Sequence, residues 1–206
     1  KKAGIKSNFK IVPLNADQTR FKENLFDRLR VRKDLGITGK FVVGFHGRLS
    51  KEKNIRLLVD SFKQFRKKYP KSSLLILGDG PERDKLKGEG IISTGFVSDP
   101  EKYLRAMDVY VLLSKTETSA LSLMEAIATG VPVITSDAGL IPTYVTSRRG
   151  IILKKSQLKK GYVAKAIEIV HNSPVKSKLK AVGAKLFTDS RNWNDIANDL
   201  KRTFED

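Results

Sequence analysis

Two glutamates, Glu117 and Glu125, stand eight positions apart in the stretch ETSALSLMEAIATGVPVITSD, in a chain otherwise crowded with lysine and arginine. The spacing has two readings. Ser122-Leu-Met-Glu125 fits the S-x-x-E box, in which the glutamate reaches back to a free backbone N–H at a helix start. Alternatively, the carboxylates receive a ligand seated at that helix N-terminus, where free N–H groups and the positive dipole end favour anions. Upstream, Gly47-Arg48-Leu-Ser-Lys-Glu-Lys53 follows an apolar run and precedes a strong helical pattern. Its guanidinium can grip phosphate oxygens in a fork, and its ammonium adds a point charge.

Other chemistry has little material. His46 and His171 are the only histidines and there is no cysteine, which leaves no obvious triad or cysteine–zinc site. His46 reads as a satisfied residue at the core edge. Gly78-Asp-Gly80-Pro-Glu-Arg begins like a dinucleotide-binding G-x-G-x-x-G, but Arg83 replaces the third glycine. Pro81 there reads as the first residue of a helix. No phosphate-binding G-x-x-x-x-G-K-[ST] occurs.

The elements that must position these residues follow from hydrophobic patterning. Short β-rich apolar runs at 40–45, 74–77, 109–113 and 131–134 are nearly continuous, as in strands buried on both faces of a parallel sheet. Between them, Ile55, Leu58, Val59, Phe62 and Phe65 make one helical stripe, and Val163, Ala166, Ile167 and Val170 make another. A third stripe, with Trp193, Ile196, Leu200 and Phe204, follows a capping Asn192. Alternating strands and helices predict a doubly wound α/β sheet of five or six parallel strands, ending in a helical tail. Ligands gather where such strands end, so the turns at 47–53, 78–81, 95–100, 115–122 and 137–142 are the candidate site loops.

The length of 206 residues suits a single domain, and no apolar run approaches a membrane span. The absence of cysteine fits a reducing compartment. Forty Lys and Arg against 22 Asp and Glu give a net charge of +18, which favours polyanionic partners. The basic residues are spread through every expected helix, as on solvated faces. The densest cluster, Arg28-Leu-Arg-Val-Arg-Lys33, lacks the interleaved aromatics of a single-strand binding platform. A nucleic-acid partner would rest on charge alone and is not expected.

Five stretches in order, VPLNADQTRFK, FHGRLSKEKNI, LLILGDGPERDKL, STGFVSDPEKYLRAMDVYV and ETSALSLMEAIATGVPVITSDAGLIPTYV, resemble the C-terminal, nucleotide-sugar-binding domain of the retaining GT-B glycosyltransferases of family 4. The resemblance implies a Rossmann-like half of a GT-B fold over 1–206, with helices on both sheet faces and the acceptor domain of the parent enzyme absent. It implies that a hexose is transferred from a UDP- or GDP-sugar to a glycan or lipid-linked acceptor, without a metal or other cofactor, in the cytoplasm. This half alone would be inactive.

Arg48 and Lys53 then match the basic pair that neutralises the donor diphosphate. Glu117 matches the glutamate near the donor sugar, and Glu125 the one that accepts from the ribose hydroxyls. The segment Ser119, Ala120, Leu121 and Ser122 would line the sugar and phosphates, with Gly47 close to the donor. Gly95, Phe96 and Val97 would border the nucleobase. Thr118, Ser119 and Ala120 stand where that family usually has Gly-Phe-Gly, Leu140 where a second glycine is common, and Thr143 where a glutamate often follows the proline. These departures support a second reading, a transferase-like module without activity that serves binding or membrane docking. The basic surface adds an anionic membrane face as an expected partner.

Overall fold

The computed structural model describes residues 15–145 and 150–173. Residues 9–13, Phe-Lys-Ile-Val-Pro, read as a first strand; they and the expected tail containing Trp193 lie outside the described residues. Six strands, β1 (Phe41–His46), β2 (Ser72–Leu77), β3 (Ile91–Gly95), β4 (Val109–Leu112), β5 (Val133–Ser136) and β6 (Gly150–Leu153), form one sheet in the order β3-β2-β1-β4-β5-β6. Every pairing is parallel. β1, β2, β4 and β5 carry the expected apolar runs and are almost wholly buried. β3 and β6 are edge strands of mixed burial, without an interior strand's continuous apolar signal.

The chain lays down strands outward from β1 to β3, then crosses back and continues from β4 to β6. Right-handed crossovers in opposite directions place helices on opposite faces. α2 (Ile55–Lys68) packs against α6 (Lys160–Asn172), while α3 (Pro100–Ala106) touches both α1 (Leu25–Asp34) and α4 (Leu121–Ala128). The α2 stripe is buried as its spacing requires: Ile55, Leu58, Val59, Phe62 and Phe65 all lie in the core. A short α5 (Ile141–Tyr144) follows β5. Pro81 does not open an α-helix; only a 3₁₀ turn, Arg83–Lys85, lies between β2 and β3. Gly44, in the middle of β1, gives room to Met107, whose sulfur would lie 1.9 Å from an added Cβ.

α1 is oriented against the usual rule. Two of its three arginines point inward: Arg28 and Arg32 both contact the Asp108 carboxylate at 2.6 Å, and Arg28 also donates to the Arg105 and Met107 carbonyls. Asp27 meets Arg105 at 2.5 Å, and the Val42 N–H donates to Asp108 at 2.8 Å. Half of the densest basic cluster, Arg28 and Arg32, is therefore a structural clamp between α1, α3 and β1, while Arg30 and Lys33 stay exposed. Guanidiniums satisfy the carbonyls that end α3, which a shorter side chain could not reach.

Candidate functional site

The strand order reverses between β1 and β4, and in open α/β sheets the crevice outside that point receives ligands. Two loops meet there. The first, after β1, is held from behind by the Gly78-Asp-Gly80 turn. Gly47 N–H donates to Leu77 O at 3.0 Å, Leu49 N–H to Asp79 O at 2.9 Å, and Glu82 N–H to Leu49 O at 2.9 Å. An added Cβ on Gly78 would lie 2.1 Å from Gly47 O, and one on Gly80 2.5 Å from Leu49 O. The G-x-G pattern thus serves close backbone packing behind the Arg48 loop. Leu49 is buried and Arg48 exposed, so the loop turns its guanidinium outward. The Arg48 carbonyl accepts from Ser50 N–H at 3.1 Å, while its guanidinium makes no salt bridge or hydrogen bond among the described residues.

The second loop, after β4, carries Glu117. Lys53 Nζ donates to Glu117 Oε1 at 2.5 Å and Ser114 Oγ to the same oxygen at 2.6 Å. Ser136 Oγ in turn donates to Ser114 O, and Lys115 N–H donates to Glu52 O at 2.8 Å, which ties the two loops together. Gly139, at φ +57°, packs its backbone directly on that of Glu117. The side chain of Glu117 is only 7% exposed. β1, β4 and β5 therefore all contribute to holding this one carboxylate.

The helix start differs from the capping-box reading. α4 begins at Leu121, with Ala120 as N-cap in the left-handed region (φ 46°) and no side-chain cap. Leu123 and Met124 N–H donate to Ala120 O, so the N–H groups of Leu121 and Ser122 remain at the helix start. Ser122 lies inside the helix, with its Oγ 2.9 Å from the Tyr110 hydroxyl. Glu125 does not reach back; its Oε2 is 3.3 Å from His46 Nδ1. That contact is close enough for an ion pair but poorly aligned, and His46 Nδ1 is buried without a well-formed hydrogen bond. His46 is therefore not simply satisfied at the core edge; it faces the second glutamate.

Tyr110 was not apparent as a site residue within its apolar run. Fully buried, its hydroxyl lies 3.0 Å from the His46 carbonyl and joins the end of β1 to α4. Burial pushes its pKa well above the ordinary phenol value, so it stays protonated. Ser114, which fixes Glu117, was missed too; no local spacing distinguishes it.

At the other end of the site, Gly95 (φ +73°) accepts the Gly78 N–H at 2.7 Å. Phe96 is 84% exposed, and Val97 packs partly on the core. This segment sits at the β3 edge and is hydrogen-bonded to the Gly78 turn that backs the Arg48 loop. The direct contacts are thus Lys53 with Glu117 and Glu125 with His46. Ser119 is half-buried, Ala120 buried and Leu121 exposed at the crevice rim. A cavity of about 770 Å³ opens beside the second loop, lined in part by Ser114, Lys115, Thr116, Asp137, Gly139 and Lys155. It adjoins the Glu117 backbone without including any of the expected site side chains.

Comparison with known proteins assigns the arrangement to a family. Residues 27–186 match the model of the glycosyl transferases group 1. The chain belongs to that family. Within it, the chain is 36% identical over 144 residues to an alpha-monoglucosyldiacylglycerol synthase of Acholeplasma laidlawii, covering 65% of this chain and 35% of that protein. It is 31% identical over 147 residues to the putative teichuronic acid biosynthesis glycosyltransferase TuaC of Bacillus subtilis, covering 70% and 37%. The chain spans about a third of the length of these curated relatives.

Among solved structures, Anabaena HepE in complex with UDP and glucose superimposes with a TM-score of 0.86 at 21% identity, covering 95% of this chain and 56% of that one. The C-terminal domain of a group 1 family protein, LpcC of Francisella tularensis, gives 0.75 at 23%, covering 87% and 100%. At these identities the likeness establishes the Rossmann-like α/β fold of a GT-B half.

Proposed function

We propose that this chain is the donor-binding half of a retaining glycosyltransferase of family 4, acting in the cytoplasm. It takes a hexose from a UDP- or GDP-sugar, and a separate domain presents a glycan or lipid-linked acceptor. The observation that carries this reading is the Lys53–Glu117 contact where the strand order reverses, with exposed Arg48 on one side and the α4 N-terminus on the other. An ammonium has three donors and Glu117 uses one, which leaves two for phosphate oxygens. Arg48 adds a fork, and the Leu121 and Ser122 N–H groups add dipoles at the same charge.

In this mechanism the acceptor oxygen attacks the anomeric carbon on the face from which the diphosphate leaves. The bonding electrons pass to the diphosphate, and the acceptor proton follows to a phosphate oxygen. Arg48 and Lys53 stabilise the negative charge that develops there, without a metal. Glu117 lies near the sugar, with Ser119 and Ala120 leaving it room, and keeps Lys53 aimed. Glu125 accepts from the ribose hydroxyls. Gly47 and the backbone of Gly95, Phe96 and Val97 border the diphosphate and the base. HepE, solved with UDP and glucose, supports a nucleotide-sugar donor.

Calorimetric titration of the chain with UDP and GDP tests the reading. Saturable binding of at least one is expected, weakened about 10- to 100-fold by Arg48→Ala or Lys53→Ala. No saturable binding of either, or binding indifferent to both substitutions, overturns it.

A further inference from the structure

Helix α1 is inside-out. Asp27, Arg28 and Arg32 face the domain, while Leu25 (66% exposed), Phe26 (86%) and Leu29 (56%) face solvent. At 100° per residue, Leu25, Leu29, Lys33, Phe26 and Arg30 follow one another round the outward side, so the apolar residues form one patch bordered by exposed cations. Lys22, just before the helix, adds another exposed cation. Asp34 lies at the far edge of this face, 3.8 Å from Arg30. Burying these side chains against the domain is precluded by the Arg28–Asp108–Arg32 clamp, which fixes the helix rotation.

We propose that the outward face of α1 docks on an anionic lipid bilayer surface, with Leu25, Phe26 and Leu29 entering the headgroup–acyl boundary and Lys22, Arg30 and Lys33 meeting lipid phosphates. The geometry is that of a helix lying in the interface plane: bulky apolar residues on one side and cations at their margin, whose long stems let the charge stay in the headgroup layer. Charge complementarity selects this occupant. A second copy would bring Arg30 and Lys33 against their own counterparts, whereas anionic lipid neutralises them, and the net charge of +18 draws the chain toward the surface. Among the described residues no helix is long and apolar enough to cross a membrane, so α1 lies on the bilayer. The proposal is independent of the donor site, since α1 contributes none of its residues.

Co-sedimentation of the 206-residue chain with phosphatidylcholine vesicles, with and without phosphatidylglycerol, provides the test. Binding is expected to rise with phosphatidylglycerol content. The double variant Phe26→Ser/Leu29→Ser should lose about tenfold or more in partition. Arg30→Glu/Lys33→Glu should lose more than the equal charge change Lys63→Glu/Lys67→Glu on the exposed side of α2. All the altered side chains are exposed, and circular dichroism checks that each variant folds. Equal loss from the two charge pairs would mean generic basicity and overturn the proposal. So would vesicle binding unaffected by Phe26→Ser/Leu29→Ser. If light scattering shows a dimer that this variant dissolves while vesicle binding persists, the patch pairs copies of the chain and the proposal fails.

Discussion

Replacing Gly139 by alanine probes how the Glu117 loop is held. Gly139 sits at φ +57°, and an added Cβ would lie 1.9 Å from Glu117 O and 2.9 Å from its carbonyl carbon. Two costs are expected. The left-handed backbone costs a non-glycine residue about 1–2 kcal/mol. The contact adds overpacking, because ordinary contact begins near 3.4 Å and the backbones must part by about 1.5 Å, typically at about 1–3 kcal/mol. Gly36 isolates the first cost, since it has φ +63° and nothing within 4 Å of the added Cβ. Gly36→Ala should therefore destabilise by about 1–2 kcal/mol and Gly139→Ala by about 2–5 kcal/mol. Urea denaturation followed by far-ultraviolet circular dichroism measures both, and a UDP titration shows whether displacing Glu117 weakens binding in Gly139→Ala alone. Equal destabilisation by the two substitutions would refute the packing argument.

Asp108→Asn should cost about 3 kcal/mol in the same denaturation assay, because Arg28 and Arg32 would lose the carboxylate they share while remaining largely buried. Burial raises the Asp108 pKa, but Arg32, Arg28 and the Val42 N–H outweigh it and hold the pKa below 3.8. Its contribution is thus full above the unfolded value and is lost as pH falls further, so the Asn variant should lose less stability in acid than the parent. Glu168 behaves alike: bonds from Lys68, Lys165 and Tyr69 hold its pKa at about 2, against an ordinary 4.5. Thermal melts between pH 4.5 and 2 should fall less steeply for Glu168→Gln than for the parent, and identical slopes would contradict the assignment.

What was legible in the sequence was what local pattern dictates. The continuous apolar runs of β1, β2, β4 and β5 and the stripe of α2 have a period that burial alone explains, so their place in the core followed directly. The Arg48 and Glu117 loops were legible as strand-end turns, and the family could be read from five stretches in order. The edge strands β3 and β6 were not, because an edge needs no double-sided burial and leaves no continuous signal.

Tertiary structure decided the rest, through contacts between residues far apart in the chain. The S-x-x-E spacing allowed a capping box, yet Ser122 met Tyr110 and Glu125 met His46, because the helix begins two residues earlier, capped by a left-handed Ala120. G-D-G suggested a ligand turn and proved to be the surface on which the Arg48 loop rests. The arginines of α1 suggested a solvated face, but Asp108 turned Arg28 and Arg32 inward and left leucine and phenylalanine outside beside Arg30. A side chain's partner depends on what the fold brings near it, and a single sequence records the type of each residue without that neighbourhood.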